Sequence, residues 1–278
     1  MEFYVSYKEY IKIDQRFSAL KFFPLPSICR HFVSSPMAHF GLLGTSLQHS
    51  FSKAYFEKKW REENVIEHDY ELVELPNDRS LRQFLNTNEK FKGLNITIPF
   101  KVSILDSLSA LTTAAKEIKA VNCILRSDAG WVGHNTDAEA FSLSMEGFVP
   151  SNFKAKALIL GSGGASRAVQ YALKQIDIEY ELASQSGNGI SYDDLHLQWD
   201  PAWKLIVNTT PLGMYPDVQS CPKIPYQLLD ESFYLMDLVY NPEKTLFLAL
   251  GAKRACQTKN GLEMLHIQAD LSWEFWNQ

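Results

Sequence analysis

A lysine, an asparagine and an aspartate stand at the ends of ordered segments in this chain. Lys101 follows Gly93-Leu94-Asn95-Ile96-Thr97-Ile98-Pro99-Phe100, Asn122 closes Ala120-Val121-Asn122, and Asp137 closes Gly133-His134-Asn135-Thr136-Asp137. Further on comes a glycine-rich turn, Gly161-Ser162-Gly163-Gly164-Ala165-Ser166. A lysine held beside a carboxylate can take the proton of an alcohol as hydride leaves the adjoining carbon. In reverse, it can return a proton to a developing alkoxide. Next to a dinucleotide turn, that set points to hydride transfer on a small polar alcohol. Taken alone, Lys101 or Asp137 reads as a solvated charge or a helix cap; the joint occurrence carries the reading.

Those residues need elements to hold them. Leu94, Ile96 and Ile98 alternate with Asn95 and Thr97, the period of a half-buried strand. Pro99 lacks an N–H and cannot extend a central ladder, so the strand stops and a short helix begins at Phe100-Lys101. This gathers Asn95, Thr97 and Lys101 at one strand end, where open α/β sheets build their sites. The run Lys156–Leu160 is nearly all apolar, as a parallel strand covered on both faces requires. It feeds the turn in which Gly161 allows a tight bend and Gly163 lets a pyrophosphate approach a helix N-terminus. Ser166 stands where a third glycine would, small enough for close helix packing.

Strands are expected at 39–43, 69–74, 122–126, 130–133, 180–183, 204–208 and 234–237. Helices are expected at 53–61, 78–86, 101–107, 112–117, 137–146 and 167–174, then from Pro242 to Leu250, and over 261–276. The alternation predicts a two-domain α/β protein, an N-terminal α/β domain plus a Rossmann-like dinucleotide-binding domain with a parallel sheet. Ser50 and Ser52, at the start of the 53–61 helix, would form an anion site beside its free N–H groups, or simply cap it.

Composition narrows the class. Of 278 residues, 46% are hydrophobic, enough for two ordinary domains, and 27 Lys+Arg face 32 Asp+Glu, a net charge of -5. That balance gives no basic face for nucleic acid. Cys29, Cys123, Cys221 and Cys256 are scattered and the histidines lack ligand spacing, so no disulfide framework and no metal is expected. No apolar run approaches a membrane span, and charges at Glu2, Lys8, Glu9, Lys12 and Asp14 break up any signal segment. A cytoplasmic monomer or homodimer without a membrane partner is the expectation.

The ordered set of motifs resembles the shikimate dehydrogenase family from about Met37 onward. The resemblance implies reversible, NADP-linked reduction of 3-dehydroshikimate to shikimate, a step toward chorismate in aromatic amino-acid biosynthesis. It implies a substrate domain at 37–137, onto which a last helix at 261–278 packs back, and an NADP domain at 138–260. Residues 1–36 would be a poorly ordered extension, or an artefact of translation upstream of Met37. Lys101 and Asp137 become the catalytic pair, and Ser50 and Ser52 the ligands of the substrate carboxylate. Thr97, Asn122, Gln268 and Tyr240 would contact the substrate, although Tyr240 reads equally as a buried aromatic. Gly161, Ser162, Gly163, Gly164 and Ala165 would hold the dinucleotide, with Thr209 and Thr210 beside it and Gly261 against the nicotinamide.

Departures from the family pattern fall at Ser46 and Lys53, where it has prolines, and at Ala183-Ser184-Gln185-Ser186-Gly187. There the second strand ends with neither the acid of an NAD site nor the arginine of an NADP site. Ser184 and its neighbours can hydrogen-bond a 2′-phosphate, so NADP with weakened discrimination is expected and NAD stays open. Quinate as the substrate, or a catalytically silent regulatory relative, are the alternatives. Retention of both Lys101 and Asp137 weighs against the latter.

Overall fold

A computed structural model describes residues 37–65 and 68–278. The expectations for residues 1–36, and Cys29 with them, lie outside the described residues.

In the first lobe, β1 (Ala38–Gly44) lies between β2 (His68–Glu74) and β3 (Phe91–Ile96), parallel to both. The crossovers are α1 (Ser52–Glu62) and α2 (Asp78–Thr87). Asn77 fixes the start of α2, its Oδ1 accepting the Ser80 N–H at 3.0 Å. After Pro99 come α3 (Phe100–Ser103), a 3-10 turn, the two-residue β4 (Ala110–Leu111) and α4 (Thr113–Ile118). The hairpin β5 (Cys123–Ser127) to β6 (Gly130–His134) then adds antiparallel to β3. The first sheet is therefore mixed, in the order β2-β1-β3-β5-β6-β4, and the helix α5 (Asp137–Met145) leaves it.

The second sheet is parallel throughout: β7 (Lys156–Leu160), β8 (Tyr180–Ala183), β9 (Trp203–Asn208), β10 (Tyr234–Asp237) and β11 (Gln257–Lys259), ordered β11-β10-β9-β7-β8. Strand order reverses between β7 and β9, as it does between β1 and β3. Such switch points open a crevice at the strands' carboxyl ends. Both crevices hold residues singled out above.

Three helices complete this half. α6 (Gly164–Gln175) starts directly at the glycine turn, three residues before the expected Arg167, because Gly163 itself occupies the cap position. α7 (Leu246–Ala252) starts later than Pro242: Thr245 caps it, Oγ1 accepting the Leu248 N–H at 3.3 Å. A threonine cap outweighs the upstream proline as a start signal here. α8 (Leu262–Trp276) buries Met264, Ile267, Ala269, Ser272, Phe275 and Trp276, whereas Leu262 is exposed. Trp273 packs on the aromatic residues from the other side of the same helix. α8 serves two cores: Met264 and Ile267 join the one around α5, α6 and β7, while Ala269, Phe275 and Trp276 join the aromatic one under β1.

Candidate active site

At the end of β3 the chain turns at Pro99, and the first turn of α3 carries Lys101 toward the start of α5. Lys101 Nζ lies 2.6 Å from Asp137 Oδ2, with side-chain exposures of 17% and 7%. Asn122 fixes the other carboxylate oxygen: its Nδ2 donates to Asp137 Oδ1 at 2.8 Å and to Thr136 Oγ1 at 2.9 Å. Its Oδ1 accepts the Thr136 N–H at 2.8 Å. The Asn122 amide thus orients the carboxylate from below, with both its hydrogens taken by protein and one lone pair of its oxygen still open. Asn135 anchors the same corner, with Nδ2 on the Ala120 carbonyl and Oδ1 on the Ala138 N–H.

Ser50 and Ser52 sit half-buried where β1 turns into α1. Ser50 Oγ accepts the Ser52 N–H at 3.3 Å, while the cap position is Phe51, which has no side-chain bond to the helix. Capping thus accounts for only one of the two hydroxyls. Ser52 also meets the buried Tyr70 hydroxyl. Thr97 is half-buried at the end of β3, its N–H on the Leu43 carbonyl at 2.9 Å. Asn95, expected beside it, instead points down: it is buried and bonded to Tyr70 and Ser272. Alternation would put Asn95 and Thr97 on one face, but β3 ends at Ile96 and Thr97 lies beyond it, so only Asn95 is held to the buried face of the strand.

The second lobe brings its crevice to the same place. Gly161 has φ +110°, open to glycine alone among common residues, and a Cβ there would meet Thr209 Oγ1 at 2.7 Å. A Cβ at Gly164 would lie 2.9 Å from Lys101 Cβ, so the dinucleotide turn and the lysine helix are in direct contact. A Cβ at Gly163, by contrast, would meet nothing within 4 Å. That open face, with Ala165 in the first turn of α6 and its unbonded N–H groups, has the size and polarity for a pyrophosphate. Ser166 confirms its packing role, Oγ donating to the Gly161 carbonyl at 2.8 Å.

Thr209 Oγ1 donates to the Leu160 carbonyl at 2.7 Å and Thr210 Oγ1 to Asn208 Oδ1 at 2.7 Å, which shapes the loop rimming this crevice. At the β8 end, Ser162 and Ser186 hydroxyls stand 2.8 Å apart, Ser186 and Ser184 3.2 Å, and Ser184 donates to the Asn188 carbonyl at 2.7 Å. Gln185 is exposed beside them. At Gly261 a Cβ would strike the Leu238 carbonyl at 2.2 Å, so backbone packing also requires a glycine there.

Two aromatic pairs cross between lobes. Tyr240 lies edge-on to Phe51 at 5.4 Å and Tyr215 edge-on to His49 at 4.7 Å. Tyr240 is half-buried, and burial pushes its hydroxyl pKa up against the opposing pull of the Phe51 amide. Gln268 Nε2 donates to the Leu265 carbonyl at 2.9 Å. Away from the cleft, His39, Asp69 and Glu71 come together, a grouping without sequence spacing, and Lys90 pairs with Glu71 there.

Sequence reasoning missed Tyr70, Ser272 and Asp237. Asp237 is fully buried at the end of β10; its Oδ1 accepts Asn208 Nδ2 and the Val239 N–H, and its Oδ2 accepts Thr245 Oγ1 at 2.6 Å. Desolvation pushes its pKa up to about 6, against those hydrogen bonds.

A lysine–carboxylate pair on a mixed α/β lobe, set against the glycine turn of a parallel doubly wound lobe, is the architecture of a two-domain α/β dehydrogenase. A family model described as the shikimate dehydrogenase substrate binding domain matches residues 42–124. The shikimate dehydrogenase (NADP(+)) of Methanococcus aeolicus is 33% identical, over 88% of this chain and 93% of that protein. That of Carboxydothermus hydrogenoformans is 34% identical, over 85% and 90%. The crystal structure of shikimate 5-dehydrogenase from Thermus thermophilus, in complex with NADP(H) and shikimate, superposes with a TM-score of 0.75 at 30% identity, covering 86% of this chain and 93% of that one. The chain belongs to the shikimate dehydrogenase family.

Proposed function

We propose that this chain reduces 3-dehydroshikimate to shikimate reversibly, with NADP as the cofactor. The observation that carries this is the Lys101–Asp137 pair at 2.6 Å, lying against the N-terminal turn of α6. When bound, the reduced nicotinamide supplies the hydride to the carbonyl carbon. Lys101, held by Asp137, gives the developing alkoxide its proton and takes it back in the oxidation direction. Ser50 and Ser52 hold the carboxylate at the start of α1, and Gln268 and Thr97 face the ring hydroxyls. Tyr240 closes the mouth over the substrate. Asn122 holds Asp137 through its amide hydrogens, and the free lone pair of its oxygen serves a substrate hydroxyl.

Residues 37–137 with the helix at 261–278 form the substrate domain, and 138–260 form the cofactor domain. Gly161–Ala165 take the pyrophosphate, Thr209 and Thr210 rim it, and Ser184, Gln185 and Ser186 meet the adenosine end. The names of the relatives, shikimate dehydrogenase (NADP(+)), support this assignment. No helix among the described residues is long and apolar enough to cross a membrane. Initial rates with shikimate and quinate, each with NADP and with NAD, test the reading. The shikimate–NADP pair should give the highest kcat/KM. A preference for quinate or for NAD would reassign substrate or cofactor, and no turnover with any pair would leave a binding protein.

A further inference from the structure

One buried hydrogen-bond network runs beneath the substrate side of the cleft. It starts at Ser52, whose hydroxyl meets that of Tyr70 on β2. The Tyr70 hydroxyl lies 2.8 Å from Asn95 Oδ1 on β3, and Asn95 Nδ2 donates to Ser272 Oγ on α8 at 2.9 Å. Ser272 Oγ donates to the Gln268 carbonyl at 2.8 Å, and Thr136 Oγ1 reaches the same carbonyl at 3.2 Å. Thr136 Oγ1 accepts from the Asn122 amide that holds Asp137. Tyr70, Asn95, Ser272, Thr136 and Asn122 are all buried.

Packing does not demand the polar atoms in this row. The Tyr70 ring stacks on Phe56 at 4.7 Å and lies 6.4 Å from Trp276, contacts that a phenylalanine would make equally well. Buried polar groups stabilise little beyond offsetting their own desolvation, but a satisfied network fixes geometry. Here the fixed geometry joins the two ends of one site. Burial pushes the Tyr70 pKa well up, so the group stays a neutral hydroxyl. Its proton goes to Asn95 Oδ1, which carries no hydrogen of its own, so the Tyr70 oxygen faces Ser52 as an acceptor.

We propose that Tyr70 and Ser272 are positioning residues: through Asn95 they hold Ser52 and Gln268 in fixed register with the Lys101–Asp137 pair. The inference rests on the reading that Ser52 and Gln268 contact shikimate. Neither residue touches the substrate; each acts through a neighbour. Tyr70→Phe removes one oxygen and should raise the shikimate KM roughly 5–20-fold, the loss of about one hydrogen bond's alignment. The NADP KM should stay within about twofold, because the cofactor lobe is untouched. Ser272→Ala should give the same pattern, and the two changes together should raise KM by less than the product of the single effects.

The deciding measurement is a double-mutant cycle. If Tyr70 acts through Ser52, adding Tyr70→Phe to Ser52→Ala should change the shikimate KM hardly at all. Calorimetric titration with shikimate alone should repeat the pattern without turnover. Full additivity in the cycle, an equal rise in the NADP KM, or single effects under about twofold would each overturn the inference while wild-type shikimate binding stands. A wild-type protein that binds no shikimate would overturn the functional reading and this inference together.

Discussion

Lys101 and Asp137 are both largely shielded from water, so their attraction is screened less than that of a surface pair. A lysine side chain has four rotatable bonds, and the carboxylate at 2.6 Å holds it to one position. Lys101→Ala should therefore lower kcat by ~10²–10⁴-fold with a much smaller change in shikimate KM, measured by initial rates. Near-normal turnover would remove Lys101 from the chemistry. At the other end of the cleft, Ser184-Gln185-Ser186 carries no charge. Gln185→Arg should lower the NADP KM through charge-assisted contacts to the 2′-phosphate and leave the NAD KM level or higher. Both comparisons come from the same steady-state assay. The pair was legible in sequence because each member ends a motif. Tyr70 and Ser272 were not, since an aromatic in a strand and a serine in a helix are ordinary core residues until tertiary contacts join them.

Among the elements, strand ends decide the site. The strands were readable from their apolar runs, and the crevices follow from the strand order, which the sequence does not display. Asp237 shows what lies beyond pattern reading. It ends the expected 234–237 strand, yet its role depends on Asn208 and Thr245, brought in by β9 and α7. A carboxylate whose folded pKa is raised to about 6 binds its proton more tightly in the folded state than in the unfolded one. Its contribution to stability is therefore fully present below about pH 4 and is lost as pH rises through about 6. Asp237→Asn keeps the shape of the site, with its amide nitrogen able to donate to Thr245 Oγ1. Urea unfolding at pH 4.5 and 7.5 should show the variant gaining on wild type by up to about 2 kcal/mol between the two, the part of the shift that this window spans. A pH-independent difference would mean that Asp237 is ionised as easily folded as unfolded.

For the molecule as a whole, α8 ties the lobes together. Trp276 is fully buried against Phe40 at 4.7 Å, and its Nε1 donates to the Ile124 carbonyl at 3.0 Å. Trp276→Ala should destabilise the protein by about 3–5 kcal/mol, read from the urea midpoint, with kcat falling as the first lobe loosens. An unchanged midpoint would mean that the helix end contributes no packing. The same contact has a meaning for biosynthesis. Trp276 meets a partner 152 residues earlier in the chain, and Ser272 meets Asn95 across 177. At ~5–20 residues per second, the aromatic groove under β1 waits on the order of 10–30 s for its cover to be made. The strands of the cofactor lobe are all made in that interval and its core needs only the first turns of α8, Met264 and Ile267, so the lobe begun first on the ribosome is the one completed last.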